Sequence, residues 1–136
     1  MKIVLDTNVL LSATFWYGDS FRLLKIIEEK KHEFFLSKDI LDEFSRVLEY
    51  KEIKDKIKNK NLEIRNSFQK IVELATIIEP TENVNIITDD PSDNIFLECA
   101  KAAHADCIIS QDQHLLKLVT FGNCKILTPH DFLKTI

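Results

Sequence analysis

Four short, largely apolar runs constrain this chain most: Ile3-Val4-Leu5, Phe34-Phe35-Leu36, Cys107-Ile108-Ile109 and Lys125-Ile126-Leu127. The first three show no polar alternation, so both faces of each strand must be covered. Between the runs, apolar residues recur at helical spacing. Leu23, Leu24, Ile26 and Ile27 form one such stripe, and Ile40, Leu41, Phe44, Val47 and Leu48 a second. Ile64, Phe68, Ile71, Val72 and Ala75 form a third, and Ile95, Phe96, Cys99, Ala100 and Ala103 a fourth. Thr76 to Ile78 reads as a further strand and residues 80–90 as a polar loop. Short buried strands alternating with helices predict an α/β fold with a parallel sheet covered on both faces. Sheets of this kind carry their sites at the carboxyl ends of the strands.

Local signals set the helix starts. Ser20 and Ser37 are expected N-caps. Pro91 fits the first turn of the fourth helix, and Thr128-Pro129 opens a terminal helix containing Phe132 and Leu133. No repeat or linker interrupts the pattern, so residues 1–136 are expected to form one domain. A chain of this length removes about two-thirds of its unfolded surface from water.

Composition excludes several classes. At 45% hydrophobic and 29% charged residues, the chain is not a disordered or low-complexity protein. A net charge of −4 excludes a basic nucleic-acid-coating protein, but not an enzyme that acts on nucleic acid. The charge is uneven: residues 1–70 carry 14 Lys and Arg against 12 Asp and Glu, whereas residues 71–136 carry 4 against 10. Cys99, Cys107 and Cys124 are odd in number and lack CxxC spacing, which argues against a disulfide framework or a zinc site. They are expected to be small buried hydrophobes. Lys2 is followed by only three apolar residues before Asp6, and no run approaches a membrane span, so a cytoplasmic location is expected.

The acids carry the chemistry. Asp6 directly follows the first strand, and Asp112 follows Cys107-Ile108-Ile109 with Ser110 before it, so both are expected on the carboxyl edge of the sheet. Each alone is also an ordinary turn former or helix cap. Glu43 and Asp93 border the apolar stripes of their helices. A carboxylate there costs several kcal/mol unless something offsets its desolvation. Arg46 is one turn from Glu43 and is a candidate partner, while Asp93 in a first helical turn also suits the helix dipole. Four carboxylates on one edge repel one another, and a hard divalent cation removes that repulsion. Mg²⁺ or Mn²⁺ prefers carboxylate oxygens and water, and such a site suits phosphodiester hydrolysis.

Four segments, MKIVLDTNVLLSA, SKDILDEFSRVL, DDPSDNIFLECAKAAHADCIISQDQHLL and ILTPHDFL, stand in this order in the sequence. Together they resemble the PIN domain, and in particular VapC-like toxin components of toxin–antitoxin systems. The resemblance spans essentially the whole chain. It implies a three-layer α/β/α sandwich with a central parallel sheet and a metal-dependent endoribonuclease site. Carried over by position, the catalytic and metal-holding acids are Asp6, Glu43, Asp93 and Asp112, with Mg²⁺ or Mn²⁺ as cofactor. Asn8 and Ser110 match supporting polar positions, and Asp90 matches an outer acid. The resemblance also implies an RNA substrate, a cognate antitoxin and a homodimer. Two departures fall beside Asp112: Gln111 stands where the family usually has Gly, and His114 where an acid is frequent.

Other features carry less. Of the four histidines, His32, His104 and His130 read as surface or satisfied residues, and His114 stands out for lying two residues from Asp112. Lys51, Lys54, Lys56, Lys58 and Lys60 form either a solvated helix face or a phosphate-contacting rim for RNA. Phe15-Trp16-Tyr17 offers rings for the core, for base stacking or for a partner. A haloacid-dehalogenase-like phosphatase would need a second Asp where Asn8 stands. A response-regulator receiver would need an Asp after the Phe34–Leu36 strand, where Ser37-Lys38 is found. A non-catalytic PIN module binding RNA or protein is the remaining alternative, against which the four intact acids argue.

Overall fold

The computed structural model describes residues 1–15, 19–29, 32–50 and 69–135, the side chains of residues 14, 15, 20 and 21 excepted. In chain order they form β1 (Lys2–Leu5), α1 (Thr7–Phe15), α2 (Asp19–Glu28), β2 (Glu33–Ser37) and α3 (Lys38–Leu48). Helical residues 69–74 precede β3 (Thr76–Ile78). A single 3-10 turn at Pro91–Asp93 leads into α4 (Asn94–Ala103), β4 (Cys107–Ile109) and α5 (Gln113–Leu116). The chain continues through β5 (Thr120–Phe121) and β6 (Cys124–Leu127) to α6 (Pro129–Lys134).

The six strands form one sheet in the order β3-β2-β1-β4-β6-β5. Every pairing is parallel except the edge pair β5–β6. Ile3, Val4, Leu5, Ile108 and Ile109 are fully buried. Successive strand residues point to opposite faces, so unbroken burial means that both faces are covered. The β1→β2 and β3→β4 connections cross the sheet in opposite directions. With right-handed crossovers, α1 and α2 therefore lie on one face and α4 on the other. The expected α/β sandwich around a parallel sheet is the observed architecture.

Helix starts follow local chemistry. Ser37 caps α3, its Oγ accepting from the Ile40 N–H at 3.2 Å, and Thr128 caps α6, accepting from Asp131 N–H at 3.1 Å. Two starts differ from expectation. α2 begins at Asp19, one residue before Ser20, and the Pro91 turn is 3-10 until Asn94. The antiparallel β5 leaves no mark in the sequence pattern, because two residues are too few for a periodic signal. Its hairpin turns through Gly122 at φ +58, a conformation glycine adopts without the Cβ penalty. The three cysteines are buried, as expected, and joined in no disulfide, and burial pushes their thiols up to about 12, 12 and 11 in chain order. No helix among the described residues is long and apolar enough to cross a membrane. The lysine cluster at 51–60, the residues Trp16, Tyr17 and Gly18, and the first part of the third helical stripe lie outside the described residues.

Candidate active site

Strands β1 and β4 are neighbours whose connections leave toward opposite faces, and this is where an α/β sheet opens a crevice at its carboxyl edge. Asp6 directly follows β1, with its N–H bonded to Ile109 O at 3.1 Å. Its carboxylate is buried and held from three sides. Oδ1 accepts from Val9 N–H at 2.8 Å, capping α1, while Oδ2 accepts from the Ser110 hydroxyl and from Gln111 N–H at 3.1 Å. Burial pushes Asp6 up to about 6, with the neighbouring Asp112 charge adding to the rise and the three donors opposing it.

Ser110 joins two acids. While its hydroxyl serves Asp6, its Oγ accepts from Asp112 N–H at 2.9 Å. Asp112 caps α5 through Oδ1, which accepts from His114 N–H at 2.7 Å. The His114 ring then turns back toward the acids, with Nδ1 3.3 Å from Asp93 Oδ2 and 3.5 Å from Asp112 Oδ1.

Asp93 is 6% exposed and stands at the N-cap position of α4, yet its side chain makes no capping hydrogen bond. Its carboxylate faces His114 instead. Burial raises Asp93 to about 6, and the charges of Asp112 and Asp90 push the same way against His114. Asp90 caps the 3-10 turn, accepting from Ser92 N–H at 3.2 Å and from the Ser92 hydroxyl at 2.6 Å. Asn94, unremarked in sequence, anchors this region. Its Oδ1 accepts from Ile86 and Ile87 N–H at 3.2 and 2.9 Å, and its Nδ2 donates to Ile87 O and Pro91 O at 2.9 and 3.0 Å. It is buried, so these four bonds fix the loop that carries Asp90 and Asp93.

Glu43 joins from α3. The Thr7 hydroxyl, one residue beyond Asp6, donates to Glu43 Oε2. This contact replaces the Arg46 partnership considered from sequence: among the described residues no ion pair joins the two. Glu43 and Arg46 instead line one groove with Asp39, Asp42, Ser92 and Ile95. Thr7 has a single sequence signal, a hydroxyl at the first residue of the helix after Asp6. Asn8 is exposed, with no hydrogen bond to the acids among the described residues.

The described acids thus form a continuous row: Glu43 to Thr7, the adjacent Asp6, then Ser110, Asp112, His114, Asp93 and Asp90. Within it, the ligand atoms of Asp90, Asp93 and His114 all lie within 4.8 Å of one another. Among the described residues no Lys or Arg pairs with Asp6, Asp93 or Asp112. Buried carboxylates with raised pKa values and, among the described residues, no Lys or Arg partner are a donor set that fits a divalent cation. Gln111 in place of glycine does not disturb the row. It contributes only its N–H, and among the described non-glycine residues positive φ occurs only at His104 and Val119.

Comparison with known proteins agrees with this fold. The chain is similar in fold to VapBC2 from Rickettsia felis bound to a DNA fragment from their promoter: TM-score 0.61, 13% identity, 93% of this chain and 97% of that one covered. It is equally similar to PAE2754 from Pyrobaculum aerophilum: TM-score 0.61, 12% identity, 98% and 88% covered. No curated protein matches the sequence significantly. A family model described as the PIN domain matches residues 2–114. The chain therefore belongs to the PIN-domain family.

Proposed function

We infer that the chain is a divalent-metal-dependent endoribonuclease that hydrolyses RNA phosphodiester bonds. Asp6, Glu43, Asp93 and Asp112 are its metal-holding acids, with Ser110, Asp90 and Asn8 in supporting positions. The observation that carries this reading is the row of acids at the β1–β4 crevice, in which two buried carboxylates are held at raised pKa without a Lys or Arg partner among the described residues. Mg²⁺ or Mn²⁺, when bound, activates a water as nucleophile and stabilises the leaving 3′ oxygen. The chain's own residues do the rest. Ser110 and the Val9 and Gln111 N–H groups keep Asp6 in one orientation, and Thr7 does the same for Glu43. Asn94 holds the turn that presents Asp93. Arg46, lining the groove beside Glu43, offers a guanidinium to an RNA phosphate.

The likeness to the VapBC2 complex supports a second element of the reading: the chain is the toxin of a toxin–antitoxin pair, a homodimer in the cytoplasm covered by an antitoxin at the acidic groove. The test is direct. Purified protein is incubated with mixed RNA in Mn²⁺ or Mg²⁺ and in EDTA, and the cut ends are mapped. Cleavage that needs metal, leaves 5′-phosphate and 3′-hydroxyl ends and disappears in Asp6→Asn is expected. Cleavage that survives EDTA or Asp6→Asn overturns the reading.

A further inference from the structure

We propose that His114 is a nitrogen ligand of the metal centre through Nδ1, and that with Asp90 and Asp93 it forms a mixed nitrogen–oxygen site that prefers Mn²⁺ to Mg²⁺. This rests on the metal dependence proposed above, moves Asp90 from a supporting position to a ligand, and specifies which ion the site selects. The three ligand atoms lie within 4.8 Å of one another. Two ligands of one small divalent ion, each at about 2.1 Å, stand at most about 4.2 Å apart. Only one pair of the three can stand opposite at that distance, adjacent ligands lying about 3.0 Å apart, so seating all three on one ion takes a closure of up to about 2 Å by side-chain rotation.

The ring is already aimed. Nδ1 faces Asp93 Oδ2 at 3.3 Å and Asp112 Oδ1 at 3.5 Å, so the space in front of this nitrogen is bounded by two carboxylate oxygens. A cation in that space would take the lone pair of the neutral ring. The ring is tethered by its own backbone, since His114 N–H is bonded to Asp112 Oδ1 at 2.7 Å. The donor set then decides the ion. Mg²⁺ takes oxygen ligands and keeps its waters, whereas imidazole nitrogen favours first-row transition ions. The other three histidines lie elsewhere: His32 at the amino terminus and Phe132, His130 beside Asp19, and His104 ending α4.

The test uses the full chain, stripped with EDTA and titrated with Mn²⁺ and Mg²⁺ separately. Mn²⁺ is expected to bind at least about tenfold more tightly than Mg²⁺. Pulsed electron paramagnetic resonance of bound Mn²⁺ is expected to show ¹⁴N coupling from one imidazole. His114→Asp is expected to abolish that coupling and to narrow the preference to threefold or less. Bound Mn²⁺ without nitrogen coupling in the unaltered protein overturns the proposal while leaving the nuclease reading intact, and this measurement needs no variant to fold. Coupling that persists in a folded His114→Asp protein also overturns it. If neither ion binds the unaltered chain, the proposal and the metal-dependent reading fall together.

Discussion

Ser110 and Asp6, 104 residues apart, are joined by a buried hydrogen bond in which the Ser110 hydroxyl donates to Asp6 Oδ2. The same Oγ accepts from Asp112 N–H at 2.9 Å, so one hydroxyl registers the loop after β4 against the end of β1. Ser110→Ala leaves the Asp112 N–H without this acceptor and Asp6 with one donor fewer. It is expected to destabilise the metal-free protein by about 1–3 kcal/mol and to raise the Asp6 pKa further. Urea unfolding in EDTA reads the first effect, and carboxyl titration by NMR the second. An unchanged unfolding midpoint would show that the bond carries no net stability.

Glu43→Gln tests whether the acids are kept for stability or in spite of it. Gln retains an oxygen to accept from Thr7, and it removes a charge from the row. In EDTA the variant is expected to be within about 0.5 kcal/mol of the unaltered protein or slightly more stable. The rise in melting temperature on adding Mn²⁺ or Mg²⁺ should shrink sharply. A loss of several kcal/mol in EDTA would mean that Glu43 has a structural charge partner. Thr7→Val, which frees Glu43 from its donor, is expected to weaken metal binding about 10- to 100-fold. Isothermal titration measures this directly.

The raised carboxyl pKa of Asp6 gives a pH dependence of definite sign. Its pKa is about 6 in the folded chain against 3.8 as the ordinary value. Between these values the native state binds more protons than the unfolded chain, so stability falls as pH rises. The contribution is fully present below pH 4, is lost through about pH 6, and is flat above. For Asp6 it amounts to about 3 kcal/mol. Unfolding in EDTA at pH 4, 5, 6 and 7 should show this decline, with a shallower slope in Asp6→Asn. Metal added at pH 7 should restore the lost stability in the unaltered protein only. Equal slopes for the two proteins would contradict a raised pKa at Asp6.

The lysines at 51, 54, 56 and 58 give a prediction from sequence alone, because the amino-terminal half holds 14 of the chain's 18 Lys and Arg. Neutralising the four together is expected to weaken RNA binding and flatten its salt dependence, because fewer counterions are released. Loss of the four acids should stop cleavage and leave binding intact or tighter. Filter binding at several salt concentrations separates the two effects. An unchanged salt slope would mark those lysines as a solvated face.

The sequence by itself determined what depends on neighbours along the chain. Unbroken apolar triplets set the buried strands, helical stripes set α3 and α4, and the hydroxyls of Ser37 and Thr128 set two helix starts. It also put Asp6 and Asp112 on the carboxyl edge, since each follows a strand by a fixed step. Tertiary structure alone decided the partners. Thr7 meets Glu43 across 36 residues and Asp93 meets His114 across 21, and no local spacing encodes either contact. Asn94 reads as an ordinary helix-start residue until the 83–88 loop folds over it. The two-residue β5 exists only because β6 pairs with it. The physical reason is common to all of these: strand and helix signals arise from backbone conformation and burial period, which are local. A site is made by distant side chains whose meeting depends on sheet order, here β1 beside β4, and that order is fixed only when the whole core packs.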